Sequence, residues 1–245
     1  MGPSPTEPLI GSALRRASRR LRALLARPSR YDLETVAVME RVLRPDSACV
    51  DVGAHAGDIL EHMARIAPRG RHHAFEPLPA FARRLRRDFP RAQVHEVALA
   101  ERAGRAPFLH VVPTPGYSGL RRRVYSRPNP KVRTIEVEVA TLDDSLPPDL
   151  PIAFLKIDVE GGEHGVLLGA RRTLARWRPV VVFEAGAKST GQYGVEPGQM
   201  YGLLGELGYR VTTMRRWLDG GPDLGAEEFA DNWRVGPDYY FLAAP

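Results

Sequence analysis

Carboxylates recur at the ends of apolar runs in this chain, and glycines stand beside them in two places. The stretch ACVDVGAHAGD, Ala48 to Asp58, puts Asp51 near the end of a short strand, with Gly53 and Gly57 around small Ala54 and Ala56. Such a backbone can turn sharply, and a ligand can approach it without meeting a Cβ. The second place follows IAFLKI, where Asp158, Glu160 and Glu163 are interleaved with Gly161 and Gly162. Glu76 and Glu184 close two further apolar runs, HHAF and VVVF. Acids in these positions can accept from hydroxyls and amines, take a proton or hold a cation.

The first turn reads as a cofactor cradle. A dinucleotide fingerprint requires G-x-G-x-x-G and a bare helix N-terminus for the pyrophosphate. Here His55 occupies the middle position, the third glycine is missing, and Asp58 stands where the helix begins. Asp51 and Asp58 would repel a pyrophosphate. A phosphate-free ligand carrying an amine and a sulfonium fits better, and S-adenosylmethionine is such a ligand. Glu76, at the end of the next strand, is where an adenosine ribose would present two hydroxyls.

The elements that must position these residues alternate between strands and helices. Residues 48–52, 72–75, 94–99, 152–157, 180–183, 209–214 and 239–242 read as strands, with extra strands near 105–112 and 132–139. Helices are expected near 33–43, 59–66, 81–89, 163–177 and 200–207. This alternation implies an α/β fold: a doubly wound, mostly parallel sheet with right-handed crossovers, helices on both faces and an antiparallel last strand. Residues 113–130 are rich in Pro, Gly, Ser and Arg without period and read as a long loop. Its centre, Gly116-Tyr117-Ser118-Gly119-Leu120, reads as facing the substrate.

The chain has 245 residues, 43% hydrophobic and 26% charged, enough for one α/β domain over residues 31–245. Residues 1–30 form a basic extension whose first residues are Pro-rich and expected to be disordered. From Leu9 to Ala26, Leu14, Ala17, Leu21, Leu24 and Leu25 recur at helical spacing opposite arginines. That helix could pack on the domain, cover the substrate, touch a membrane surface or form a homodimer contact. The net charge of +6 is concentrated there and at Arg121, Arg122, Arg123, Arg127, Lys131 and Arg133. Without a nucleic-acid module or interleaved stacking aromatics, nucleic-acid binding is not expected. The single cysteine, Cys49, cannot form an intrachain disulfide, and no apolar run is long enough to span a bilayer. A cytoplasmic location is expected, and the Arg- and Ala-rich composition suggests a bacterial source.

VDVGAHAGD, AFEP, Thr141-Leu142-Asp143, FLKIDVEGGEHGVLLGA and VVVFE, in that order, resemble the FkbM family of S-adenosylmethionine-dependent methyltransferases. The resemblance implies the class I methyltransferase fold and, as the activity, O-methylation of a hydroxyl on a small natural product. By position, it implies that Asp51, Gly53, His55 and Gly57 hold the methionine end of the cofactor, Glu76 the ribose, and Ala98 the adenine. Asp158, Glu160 and Glu163 would face the active site, with Tyr117 and Ser118 on the acceptor side. Asp158 and His164 are candidate general bases, with Glu184 beside them. Asp158 and Glu184, with Glu160, also make an oxygen-only set that could hold Mg²⁺. A nicotinamide oxidoreductase and a non-catalytic binding protein on the same fold are the alternatives.

Overall fold

The computed structural model describes residues 29–112, 114–122 and 131–245. The basic helix expected over 9–26, and with it any dimer contact through that helix, lies outside the described residues, as do Arg123 and Arg127. Seven strands form the central sheet: β1 (Ala48–Val52), β2 (His72–Phe75), β3 (Gln93–His95), β7 (Ile152–Ile157), β8 (Val180–Glu184), β9 (Arg210–Thr213) and β10 (Tyr240–Ala244). Their order is β3-β2-β1-β7-β8-β10-β9, parallel except for β10, which runs antiparallel to both neighbours.

Helices cover both faces, so the central strands are apolar on both sides. Val50 and Val52 of β1, Leu155 and Ile157 of β7, Val181 and Phe183 of β8 and Phe241 of β10 point to one face. There they meet α5 (Glu163–Leu168), α6 (Arg171–Trp177), α7 (Pro197–Glu206) and α9 (Ala226–Val235) through Val166, Leu174, Leu203 and Phe229. Cys49, Phe154, Val182 and Leu242 point the other way. They meet α1 (Arg30–Val42), α2 (Asp58–Ile66), α3 (Pro79–Asp88) and α8 (Met214–Leu218) through Met39, Leu60, Leu85 and Met214. Because side chains alternate along a strand, Asp51, Lys156, Glu184 and Tyr240 all belong to this second face. They lie at its carboxyl edge, where helix cover ends.

A second sheet, order β4-β6-β5, combines β4 (Ala98–Leu99), β5 (Gly104–Val111) and β6 (Val132–Ala140). The run read as one strand over 94–99 is therefore two: β3 pairs with β2, and β4 turns away to pair with β6. The helix expected over 163–177 is also two, α5 and α6. A Cβ at Gly169, between them, would stand 2.3 Å from Ala100 O, so the chain there runs hard against β4's exit and breaks. The short helix α4 (Leu142–Ser145) starts at Thr141, whose side chain accepts from Asp144 N. Helices α8 and α9 were not anticipated from the sequence. Among the described residues, no helix is long and apolar enough to cross a membrane.

Candidate active site

Three clefts open at the carboxyl edge of the sheet, and Asp158 and Glu160 line all three. The Glu76 cleft runs over β2 and β4 and is bounded by Phe75, Leu78, Ala98, Leu99 and Phe108. The Asp51 cleft lies over the glycine turn with Gly53, Ala54, His55, Asp58 and Lys156. The Glu184 cleft is walled by Tyr31, Tyr117, Trp233, Tyr239 and Tyr240 and carries Lys188 and Arg234.

The glycine turn is shaped by two contacts. Gly53 has φ 77°, and a Cβ on it would lie 1.8 Å from Asp158 O, so only glycine lets the two loops touch. Gly57 has φ 87° and opens α2, where a Cβ would meet Phe89 at 2.5 Å. It packs against α3's end and lines none of the three clefts. His55, at φ 44°, stacks on Phe81 with centroids 4.3 Å apart. Its Nε2 is buried without a hydrogen-bond partner, and burial lowers its pKa. Its backbone N donates to Glu76 Oε2 at 2.8 Å, while Leu78 N donates to Oε1 at 2.9 Å. These bonds lock the Glu76 carboxylate against the turn. Burial nevertheless pushes its pKa up to about 7, against the pull of the two amides.

At the edge of β7, Lys156 connects the acids. Its ammonium stands 3.4 Å from Asp51 Oδ1 and 3.4 Å from Asp158 Oδ2, and it donates to Gly53 O at 3.1 Å. Both Asp51 oxygens are buried with no hydrogen bond within the protein, and burial raises the Asp51 pKa despite Lys156. Asp158 goes the other way. Burial pushes its carboxyl up, but Lys156, the Tyr240 hydroxyl and Glu184 together bring it below the usual carboxylate range. Tyr240 donates to Asp158 Oδ2 at 2.6 Å, and Tyr240 and Glu184 are Cα partners across β10 and β8.

Other residues singled out in the sequence have different surroundings. Glu163 is fully buried: Oε1 accepts from Val159 N and Gly161 N at 3.0 and 3.1 Å, and Oε2 accepts from the Thr190 hydroxyl at 3.1 Å. It lines none of the three clefts, so its geometry is that of a residue holding the 158–162 loop, not one facing an acceptor. Glu160 needs that support, since it sits at φ 61°. His164 also lines none of the clefts; on α5 it faces Glu101, and burial lowers its pKa. This is not the placement expected of a general base. Ser118 lines the Glu76 cleft, but its Oγ accepts from Val111 N at 3.0 Å, whereas Tyr117 lines the Glu184 cleft. Lys156 and Tyr240 were not assigned roles from the sequence. A lysine inside IAFLKI was the available signal for the first; Tyr240 had none.

S-adenosylmethionine fits these residues on three observations. The Asp51 carboxylate, ion-paired with Lys156 but accepting no hydrogen bond, can take an ammonium, the Glu76 carboxylate can accept from a diol, and the glycine turn of Gly53, Ala54 and His55 lines the Asp51 cleft.

The strand order, with its single antiparallel strand, and the acid-edged clefts define a class I, Rossmann-like methyltransferase fold. Residues 51–211 match the Methyltransferase FkbM domain, and the chain belongs to that family. It is similar to the crystal structure of methyltransferase FkbM from Methylobacillus flagellatus KT, with 20% identity and a TM-score of 0.52 over 86% of this chain and 47% of that one. The chain thus spans about half the length of that relative. A TehB-like SAM-dependent methyltransferase from Corynebacterium glutamicum aligns over 96% of both chains at 14% identity and a TM-score of 0.48. Aeropyrum pernix fibrillarin, solved with natively bound S-adenosyl-L-methionine, aligns over 86% of this chain and 73% of that one at 14% identity and a TM-score of 0.43. No curated protein matches the chain.

Proposed function

We propose that this protein is an S-adenosylmethionine-dependent O-methyltransferase acting on a hydroxyl of a small natural product. The observation that carries the reading is the meeting of all three clefts at Asp158, whose half-buried carboxyl is held below the usual carboxylate range by Lys156 and Tyr240. In this reading the Glu76 cleft takes adenosine, with Ala98 at its adenine end, and the Asp51 cleft takes the methionine end. The Glu184 cleft takes the acceptor.

When bound, the cofactor supplies an electrophilic methyl group on a sulfonium. The chain's own residues then do the rest, chiefly by positioning, which can contribute much of the rate of an in-line displacement. Asp158 would accept the proton of the acceptor hydroxyl, since it stands where the acceptor cleft meets the two clefts read as the cofactor's. Lys156 keeps the carboxylate charge compensated. Trp233 and the tyrosines supply flat apolar walls for the acceptor body, with the hydroxyl delivered to the acids beneath.

A second reading concerns a cation at the same point. Carboxylate oxygens of Asp158, Glu160 and Glu184 lie within 4.8 Å of one another, a set compatible with Mg²⁺ that would lower the acceptor's pKa.

The test is calorimetric titration with S-adenosylmethionine, S-adenosylhomocysteine and NAD(H), with Mg²⁺ present and chelated, followed by a hydroxyl-acceptor screen with methyl-labelled cofactor. Binding of the sulfur ligands alone is expected. Preference for NAD(H), or no binding of the sulfur ligands, overturns the reading. Asp158→Asn should keep S-adenosylhomocysteine affinity within about threefold and lose turnover by about 10²-fold or more. Turnover unchanged on chelation removes the Mg²⁺ reading.

A further inference from the structure

Tyr240 lies 82 residues from Asp158 in sequence and donates to its Oδ2 at 2.6 Å. Four residues line both the Glu184 and the Asp51 clefts: Tyr31, Asp158, Glu160 and Tyr240. Tyr31 and Tyr240 stack with centroids 4.9 Å apart and planes inclined by 30°. The wall between the two clefts is therefore a pair of stacked phenols with Asp158 at its foot. Tyr31 is itself fixed: its hydroxyl donates to Pro237 O at 3.0 Å and accepts from Tyr239 N at 3.4 Å. Below it, Ser29 and Asp32 form a capping box at the start of α1, and Arg30 pairs with Asp238.

The groups around Asp158 differ in what they can do for it. Lys156 comes from β7, Glu184 from β8 and Asp51 from β1, and Glu163 acts from α5. The ammonium supplies charge with little directional preference, and Glu184 is a second acid whose carboxylate lies within 4.8 Å of that of Asp158. Tyr240, on a strand paired on both sides, supplies a hydrogen bond of fixed direction. Its own ionisation is pushed well above the ordinary tyrosine range by burial and then by Asp158 and Glu184, so it is a donor at any working pH.

We propose that Tyr240 is a positioning residue for methyl transfer: its phenol fixes the orientation of the Asp158 carboxylate where the two clefts meet, and the Tyr31 stack fixes Tyr240. The inference rests on the reading of Asp158 as the base. It assigns the antiparallel closing strand, far from the glycine turn in sequence, a part in the chemistry.

The experiment is a carboxyl ¹³C NMR titration of the full chain labelled at aspartate, for wild type, Tyr240→Phe and Tyr31→Phe, with Asp158→Asn identifying the resonance. Tyr240→Phe keeps the ring stack and loses the donor, so the Asp158 midpoint should rise by about one pH unit, the equivalent of one charge-assisted hydrogen bond. Tyr31→Phe keeps the stack and loses the Pro237 bond, and a smaller rise is expected. An unchanged Asp158 midpoint in Tyr240→Phe overturns the inference, whatever the cofactor titrations give. The base assignment fails separately, on Asp158→Asn turning over like wild type.

Discussion

Asp51 and Lys156 are direct partners across the β1–β7 ladder, and the lysine ammonium sits 3.4 Å from the aspartate while reaching Gly53 O and Asp158. Their side chains are only 1% and 8% exposed. One buried cation thus compensates the buried Asp51 of β1 and the half-buried Asp158 of the second glycine-flanked loop, and ties the floor of the Asp51 cleft to the residue shared by all three clefts. The two anions and the cation hold each other's charge states: Lys156 stays protonated because Asp158 and Asp51 outweigh the effect of burial.

Removing that cation leaves two acids uncompensated in the interior. Lys156→Met should cost about 3–5 kcal/mol of stability, the scale for breaking a buried pair by deleting one partner. Urea denaturation measures it, and a loss below about 1 kcal/mol would mean that the acids simply take up protons. S-adenosylhomocysteine affinity should fall at least about tenfold in the same variant, because the Gly53 carbonyl loses its donor and the turn its anchor.

Gly53→Ala tests the close approach of the two loops. With φ 77° and a Cβ placed 1.8 Å from Asp158 O, alanine must push the 158–162 loop away. Gly194 is the control, since it has φ 76° and nothing within 4 Å of its would-be Cβ. Gly194→Ala should cost about 1 kcal/mol from backbone strain alone. Gly53→Ala should cost about 2 kcal/mol more and abolish S-adenosylhomocysteine binding by calorimetry. Equal costs at the two sites would show that the loop contact yields easily.

How much of this site could be read from the chain depends on how local each signal is. The VDVGAHAGD turn, Glu76 and the DVEGGE block are contiguous motifs, and they do converge at one edge of one sheet. Asp158 and Glu160 stand at the junction of all three clefts, and His55 joins two of them. Glu163 is in the motif but not in the clefts, because a motif does not reveal whether a carboxylate points outward or caps its own loop. The split of 94–99 into β3 and β4 depends on which partner each half finds, and β6 lies more than thirty residues on. Tyr240 reaches Asp158 only through the register of β8 against β10, a long-range pairing that leaves no local pattern.

Acid titration of the empty protein should report Glu76. Burial raises its folded-state pKa to about 7, above the unfolded value of about 4.3. The folded state therefore binds the proton more tightly, and the stability this confers is complete below about pH 4.3 and lost as pH rises through about 7. Glu163, also raised to about 7 by burial, acts in the same direction. Between pH 5 and 8 the wild type should lose on the order of 2 kcal/mol more than Glu76→Gln, measured by denaturant midpoints at both pH values. Parallel pH profiles for the two proteins would place the Glu76 carboxyl in ordinary contact with water.

The segment from the 3₁₀ turn Pro115–Tyr117 to Leu120 lines the Glu76 cleft, and Tyr193 fastens it at Arg121. The Tyr193 hydroxyl accepts from Arg121 N at 3.0 Å, the Arg121 guanidinium donates to Tyr193 O at 3.2 Å, and the ring lies against Gly161, where a Cβ would stand 2.6 Å from it. Pro115, Gly116, Ser118 and Leu120 line the Glu76 cleft while Tyr117 lines the Glu184 cleft, so one short segment borders both. A ligand leaving the Glu76 cleft on this side must displace it. Tyr193→Phe removes the acceptor for Arg121 N and keeps the packing on Gly161. One hydrogen bond of about 1 kcal/mol corresponds to roughly a fivefold faster release of S-adenosylhomocysteine, with association changed less. Stopped-flow displacement measures the two rates separately; a release rate equal to wild type would mean that the ligand leaves past the glycine turn and not beneath this segment.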